Sequence, residues 1–131
     1  MKKIMLIALM AGWTLGLSAQ NLNKVKDMLK DNELDKAKAG IDALLAVPKN
    51  QKNAEVWYTK AKIYGAIAAN DQFKTLVADG RTEAFEAIKK AQETDKTKAT
   101  TLLTIDSYKP IYDLYGSYFD AAASQYNAEK Y

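Results

Sequence analysis

The sequence predicts an all-α protein built of antiparallel helix pairs stacked into a short array, about five helices in its mature part. Apolar residues recur at helical spacing along most of the chain, and no stretch alternates apolar and polar for long. Ala, Lys and Leu, all strong helix formers, are the commonest residues, and only Pro48 and Pro110 interrupt them. Small and large apolar residues pair repeatedly, as Ala37/Ile41/Leu44 and Ala84/Ile88/Ala91, with Trp57, Ala61 and Tyr64 between them. The small residue of each set marks a close helix contact, and the recurrence marks a duplicated unit.

The first helix is expected over Leu22 to Lys30, with Leu22, Val25, Met28 and Leu29 on one side. Asp31-Asn32-Glu33 is a polar break. The second helix, Glu33 to Ala46, aligns Leu34, Ala37, Ile41, Leu44 and Leu45, and Pro48 stops it. After the polar connector Lys49 to Asn53, Ala54 to Ala69 forms a third helix with Trp57, Ala61, Tyr64 and Ile67 in line. Periodicity fades between Asn70 and Asp79. Asp79 is a suitable N-cap for a fourth helix, Gly80 to Glu93, whose inner face carries Ala84, Phe85, Ile88 and Ala91. Thr94 to Ile105 is ambiguous: Asp95 can cap a short turn bearing Leu102 and Leu103, against the low helix propensity of threonine. Ser107 is placed to cap a fifth helix, with Pro110 in its first turn, running to about Asn127.

Residues 1–19 read as a cleaved export signal. Lys2 and Lys3 precede the uncharged run Ile4 to Leu17, and Ala19 offers a small residue at the cut. The run is shorter than the roughly 20 residues of a spanning helix. Cysteine is absent, which excludes disulfides and an N-terminal lipid anchor. The mature chain of residues 20–131 is therefore expected to be periplasmic or secreted, without stable membrane insertion. Without Lys2 and Lys3 the 19 basic side chains fall to 17 against 16 acidic, a net charge of +1, which removes the electrostatic motive for binding nucleic acid.

Trp57, Ala61, Tyr64, Ala84, Ile88 and Ala91 resemble the tetratricopeptide repeat, whose first helix carries Trp, Leu, Gly and Tyr and whose second carries Ala, Phe and Ala. Lys60 stands where the motif has Leu. Weaker units fit as Val25, Met28, Leu34, Ala37 and Ile41, and as Tyr118, Ala122 and Tyr131. Between Tyr64 and Ala84 unit two has about eleven extra residues, around Phe73 and Leu76, expected to plug the stack or, as the second reading, to form a lid. Asn127 to Lys130 resembles the turn before Leu34, so the chain is expected to stop partway through a third unit. Uncovered apolar area at that point favours self-association.

The resemblance implies a right-handed array whose first helices line a concave groove for a protein or peptide segment. Carried over by position, the groove residues are Tyr58, Lys62, Phe119 and Tyr126. Catalytic equipment is sparse: with neither His nor Cys there is no Ser-His-Asp set, thiol nucleophile or ordinary zinc site. Neither enzymatic activity nor a cofactor is expected. Glu86 and Lys90 suit an i,i+4 pair on a solvated face. Arg81, the sole arginine, suits a surface pair with Asp79 or Glu83, or a fork onto a carboxylate or phosphate. Tyr108, Tyr112, Tyr115 and Phe119 share one face of the last helix, either as a packing seam or as a strip for carbohydrate or another small ligand.

Overall fold

A computed structural model describes the backbone of residues 14–129 and the side chains of residues 21–129. Six α-helices pack together, with no strand among the described residues: α1 (Thr14–Lys30), α2 (Leu34–Leu45), α3 (Ala54–Ala69), α4 (Gly80–Thr94), α5 (Lys96–Ile105) and α6 (Lys109–Glu129). Two short 3-10 turns, Asn50–Lys52 and Lys74–Leu76, lie in the connections flanking α3. Residues 1–13 of the expected export signal lie outside the described residues, and α1 begins at Thr14, eight residues before the expected start.

α1 ends because Asn32 takes a left-handed conformation (φ 59°). The amides of Asn32 and Glu33 then turn back to the carbonyls of Leu29 and Met28 at 3.1 and 2.9 Å, a Schellman closure with Asn in glycine's usual place. α2 follows at once and buries Leu34, Ala37, Ile41, Leu44 and Leu45 against α1 and α3. Every residue of the expected stripe is in the core. Asn50, itself buried, donates its side-chain amide to the Leu44 carbonyl at 2.8 Å and so satisfies the end of α2.

α3 is the hub, packing against all five other helices. Its N-cap, Asn53, accepts from the Glu55 amide at 2.9 Å. Beyond the expected line of Ala61, Tyr64 and Ile67 it buries Val56, Tyr58, Thr59 and Ile63, so apolar residues surround it. Trp57 is only partly buried and donates its indole N–H to the Gln51 carbonyl at 2.8 Å. Lys60, at the motif's Leu position, lays its ammonium over the rings of Tyr64 and Trp57 and pairs with Glu83 of α4 at 3.0 Å. The stem keeps the apolar contact while the charge is met by Glu83.

Small residues set the α3–α4 approach. A Cβ on Gly80 would lie 3.0 Å from the Tyr64 carbonyl oxygen and 3.1 Å from Ala68 Cβ, and one on Gly65 would lie 3.9 Å from Ala84 Cβ. Asp79 caps α4 through the Thr82 amide at 3.1 Å, as the sequence indicates. The inner face of α4 is Ala84, Ala87, Ile88 and Ala91. Phe85 is not part of it, being 49 % exposed with Lys89 over its ring. One residue is a 100° turn, which carries Phe85 off the Ala84–Ile88 line and leaves the close contact to alanine. In the expected plug, Phe73 and Val77 do pack on the core, while Leu76 is exposed.

The ambiguous stretch is a helix, α5, capped by Asp95 accepting from the Lys98 amide at 2.9 Å and anchored by buried Ala99 and Leu103. Ser107 does not cap α6. Ser107 and Tyr108 both have positive φ (52° and 56°), and their amides close α5 onto Thr104 and Leu103 at 3.0 and 2.7 Å. The residue that sequence assigns to the start of one helix thus ends the other. α6 remains helical through Asn127, Ala128 and Glu129, the described part of the expected turn.

Candidate functional site

A concavity of about 980 Å³ forms a groove between α3 and α6, with Leu29 of α1 and Arg81 of α4 at its margins. Its α3 wall is Lys62 with Ala61, Gly65, Ala66, Ala68 and Ala69; its α6 wall carries Tyr112, Asp113 and Asp120 beside Leu114 and the small Gly116, Ser117, Ala121 and Ser124. Side chains this short leave room for an incoming backbone to come close. A second depression of about 440 Å³ lies between α1, α3 and α5, and Leu29, Lys62 and Asp106 border both.

Asp106 ends α5 and brings the two hollows together. Its Oδ2 accepts from the Tyr58 hydroxyl at 2.8 Å and from Lys62 Nζ at 2.8 Å, and the Lys62 ammonium also sits over the Tyr58 ring. Burial pushes the Asp106 carboxyl up, but the hydrogen bonds from Lys62 and Tyr58 outweigh it and hold it below the ordinary value. Tyr58 is pushed well above tyrosine's usual value, first by burial and then by its bond to Asp106. A matching arrangement joins α3 to α2: the Tyr64 hydroxyl donates to Asp42 Oδ1 at 2.6 Å, and Lys38 pairs with Asp42 Oδ2 at 2.8 Å. Burial, then the Asp42 contact, raises Tyr64 likewise. Two Tyr–Asp–Lys clusters therefore fasten the hub to helices before and after it.

The four residues carried over by position fall into two places. Tyr58 and Lys62 meet at Asp106, but Tyr58 is only 3 % exposed and serves packing more than contact, because Asp106 claims its hydroxyl and α5 covers its ring. Phe119 and Tyr126 are exposed on α6 and neither lines the groove. At 100° per residue they lie roughly opposite Leu114 and Ala121. Lys62 alone of the four borders the groove.

Arg81 pairs with neither Asp79 nor Glu83. Its guanidinium reaches α6, donating to the Ser117 carbonyl at 3.4 Å and lying 5.8 Å from the centre of the Tyr118 ring. Asp79 is occupied by Thr82 and Glu83 by Lys60, which leaves the arginine free to turn to the aromatic ring. The Glu86–Lys90 pair is replaced by two i,i+3 pairs, Glu86–Lys89 at 3.2 Å and Lys90–Glu93 at 3.0 Å. Sequence reading missed Asp106, whose role depends on a partner 48 residues earlier in the chain. It also missed the alanine and glycine wall of the groove, since small residues read there only as helix contacts.

Among the described residues no group of three or more acidic side chains is arranged to hold a metal ion, and no helix is long and apolar enough to cross a membrane. No protein-family model, curated protein or solved structure matches the chain.

Proposed function

We propose that the chain is an exported, non-enzymatic, tetratricopeptide-like scaffold that takes a segment of another protein into the groove between α3 and α6. One observation carries this reading: α1, α3 and α6, the first helices of the three units in the repeat register, all border one groove with a floor of Ala and Gly. Small side chains there let a peptide backbone lie close, and Arg81 and Asp120 offer charges of both signs along it. The basic start and apolar run of residues 1–19 support export to the periplasm. The sequence has neither histidine nor cysteine to offer a nucleophile or imidazole base, and its acidic residues mostly serve ion pairs and caps.

Ala69 is exposed at the edge of the groove, so Ala69→Trp fills the space with little effect on the core. A displayed library of peptide segments should yield binders to the natural chain that Ala69→Trp no longer retains. Binders indifferent to Ala69→Trp, or none, would count against the groove. The exposed rings of Tyr112 and Tyr115 favour a second reading, a carbohydrate-binding strip on α6. Glycan titration that changes tyrosine fluorescence, with no peptide retained, would select it.

A further inference from the structure

α6 has two faces with different characters. Toward the groove it presents Leu114, Ser117, Ala121 and Ser124. On the opposite side Tyr115, Phe119, Ala122 and Tyr126 follow at intervals of 4, 3 and 4, and Tyr112, three residues before Tyr115, continues the line at a margin it shares with the groove. That is the heptad spacing of a helix–helix seam, sustained over the length of α6. All five positions are exposed, with Tyr112, Tyr115 and Phe119 at 69, 76 and 69 %. The α3 and α4 contacts of α6 lie elsewhere, at Leu114 and on the flank where Arg81 and Thr82 meet Tyr118.

We propose that this seam joins two copies of the chain, α6 against α6 and antiparallel. Heptad spacing fits knobs into the holes of another helix better than it fits any flat or irregular surface. The seam is also complementary to itself. An antiparallel pair centred at Ser117 sets Tyr115 against Phe119 and Tyr112 against the small Ala122, with Tyr126 beside the start of the partner helix. The edges are Lys109, Gly116 and Ala123 on one side and Ile111, Tyr118 and Gln125 on the other. Lys109 is the only charge among them, and Asp113 already neutralises it within the helix. No like charges have to meet. Antiparallel packing also places the Lys109 end of one helix beside the Glu129 end of the other, with helix dipoles opposed.

The area is sufficient. At about 200 Å² for each ring and the exposures found here, Tyr112, Tyr115, Phe119 and Tyr126 offer about 550 Å² per copy, and with the half-exposed edge ring of Tyr118 the pair reaches about 1,200 Å², the lower bound of a specific interface. Monomers seldom leave a contiguous apolar patch beyond a few hundred Å² uncovered. Leu114, Ser117, Ala121 and Ser124 line the groove from the other side of α6, while Tyr112 and Gly116 lie on the margin where the groove meets the seam, so a dimer keeps two grooves, each flanked by the interface.

Sedimentation equilibrium of the full chain over about 1–100 μM should show a reversible dimer. The pair Tyr115→Ser and Phe119→Ser should weaken association at least about 100-fold. Ile105→Ser removes an exposed side chain on α5, off the seam, and should leave association unchanged. A monomer at all concentrations overturns the proposal, as does a dimer that survives the paired seam substitution or is lost with Ile105→Ser. Should the paired variant fail to fold, cysteine placement decides the question, because the chain has no cysteine of its own. A mixture of Tyr115→Cys and Phe119→Cys chains should form the mixed disulfide faster than either alone, and equal rates would refute the antiparallel register.

Discussion

Replacing Asp106 with alanine removes the oxygen on which Tyr58 and Lys62 converge, and its cost can be worked from the geometry. The Tyr58 hydroxyl loses a charge-assisted bond of 2.8 Å and is left with the Leu102 carbonyl at 3.4 Å, too long to replace it. A hydrogen bond to a charged group is worth about 1.5–3 kcal/mol. The Lys62 pair has side chains 38 and 29 % exposed, and pairs of that kind add about 0.2–1 kcal/mol. Asp106→Ala should therefore cost about 2–3 kcal/mol and lower the melting temperature by about 10 °C. Asp106→Asn keeps an acceptor for Tyr58 but no charge, and should cost about half as much. Urea unfolding of Tyr58→Phe, Asp106→Ala and the double variant measures the pair directly. Their costs should fall short of additivity by about 1–2 kcal/mol, since either substitution alone breaks the same bond. Costs that add to within about 0.3 kcal/mol would refute the latch.

Four further outcomes follow from local geometry and can be checked by denaturation. Gly40→Ala should destabilise by about 1–3 kcal/mol, because the new Cβ would lie 2.6 Å from Cγ2 of buried Val25; Gly116→Ala on α6 meets nothing within 4 Å and should stabilise by about 0.5–1 kcal/mol. Ala84→Leu places a large side chain at a fully buried position between α3 and α4 and should cost about 1–3 kcal/mol. In alkali, the raised values of Tyr58 and Tyr64 mean that the unfolded chain gives up these protons first. Their contribution is fully present below the unfolded tyrosine value of about 10 and is lost above it, at about 1.4 kcal/mol per pH unit for each hydroxyl. Stability that stays level through that range would contradict the burial of both groups.

The helical stripes were legible because period and burial coincide: Leu34, Ala37 and Ile41 are each at most 1 % exposed, and Asp79 and Asp95 cap where local chemistry says they should. α5 was obscured by threonine. In the structure Thr101 and Thr104 return their hydroxyls to carbonyls four residues earlier, at 2.9 and 2.8 Å, and Leu103 supplies the tertiary contact that propensity cannot register. Ser107 misled because small polar residues serve both helix starts and left-handed ends, and only the return of its amide to Thr104 separates the two. The tyrosine face had the spacing of a core seam. Period alone does not say whether a face turns in or out, and Tyr115 turns out. Of the candidate site, Lys62 was reached by register, whereas Asp106 and the alanine wall needed contacts between distant parts of the chain.

The 21 residues of α6 bury one residue, Leu114, and this sets an order of events as well as a shape. In hydrogen exchange, amides open in cooperative blocks ranked by how much each block buries. The last helix should therefore exchange ahead of α2, α3 and α4, whose amides wait for the whole fold to open. Because α6 is one wall of the groove, each of its openings also unroofs the cavity. A guest segment would then arrive and leave at the pace of a single helix lifting, while the rest of the scaffold stays folded.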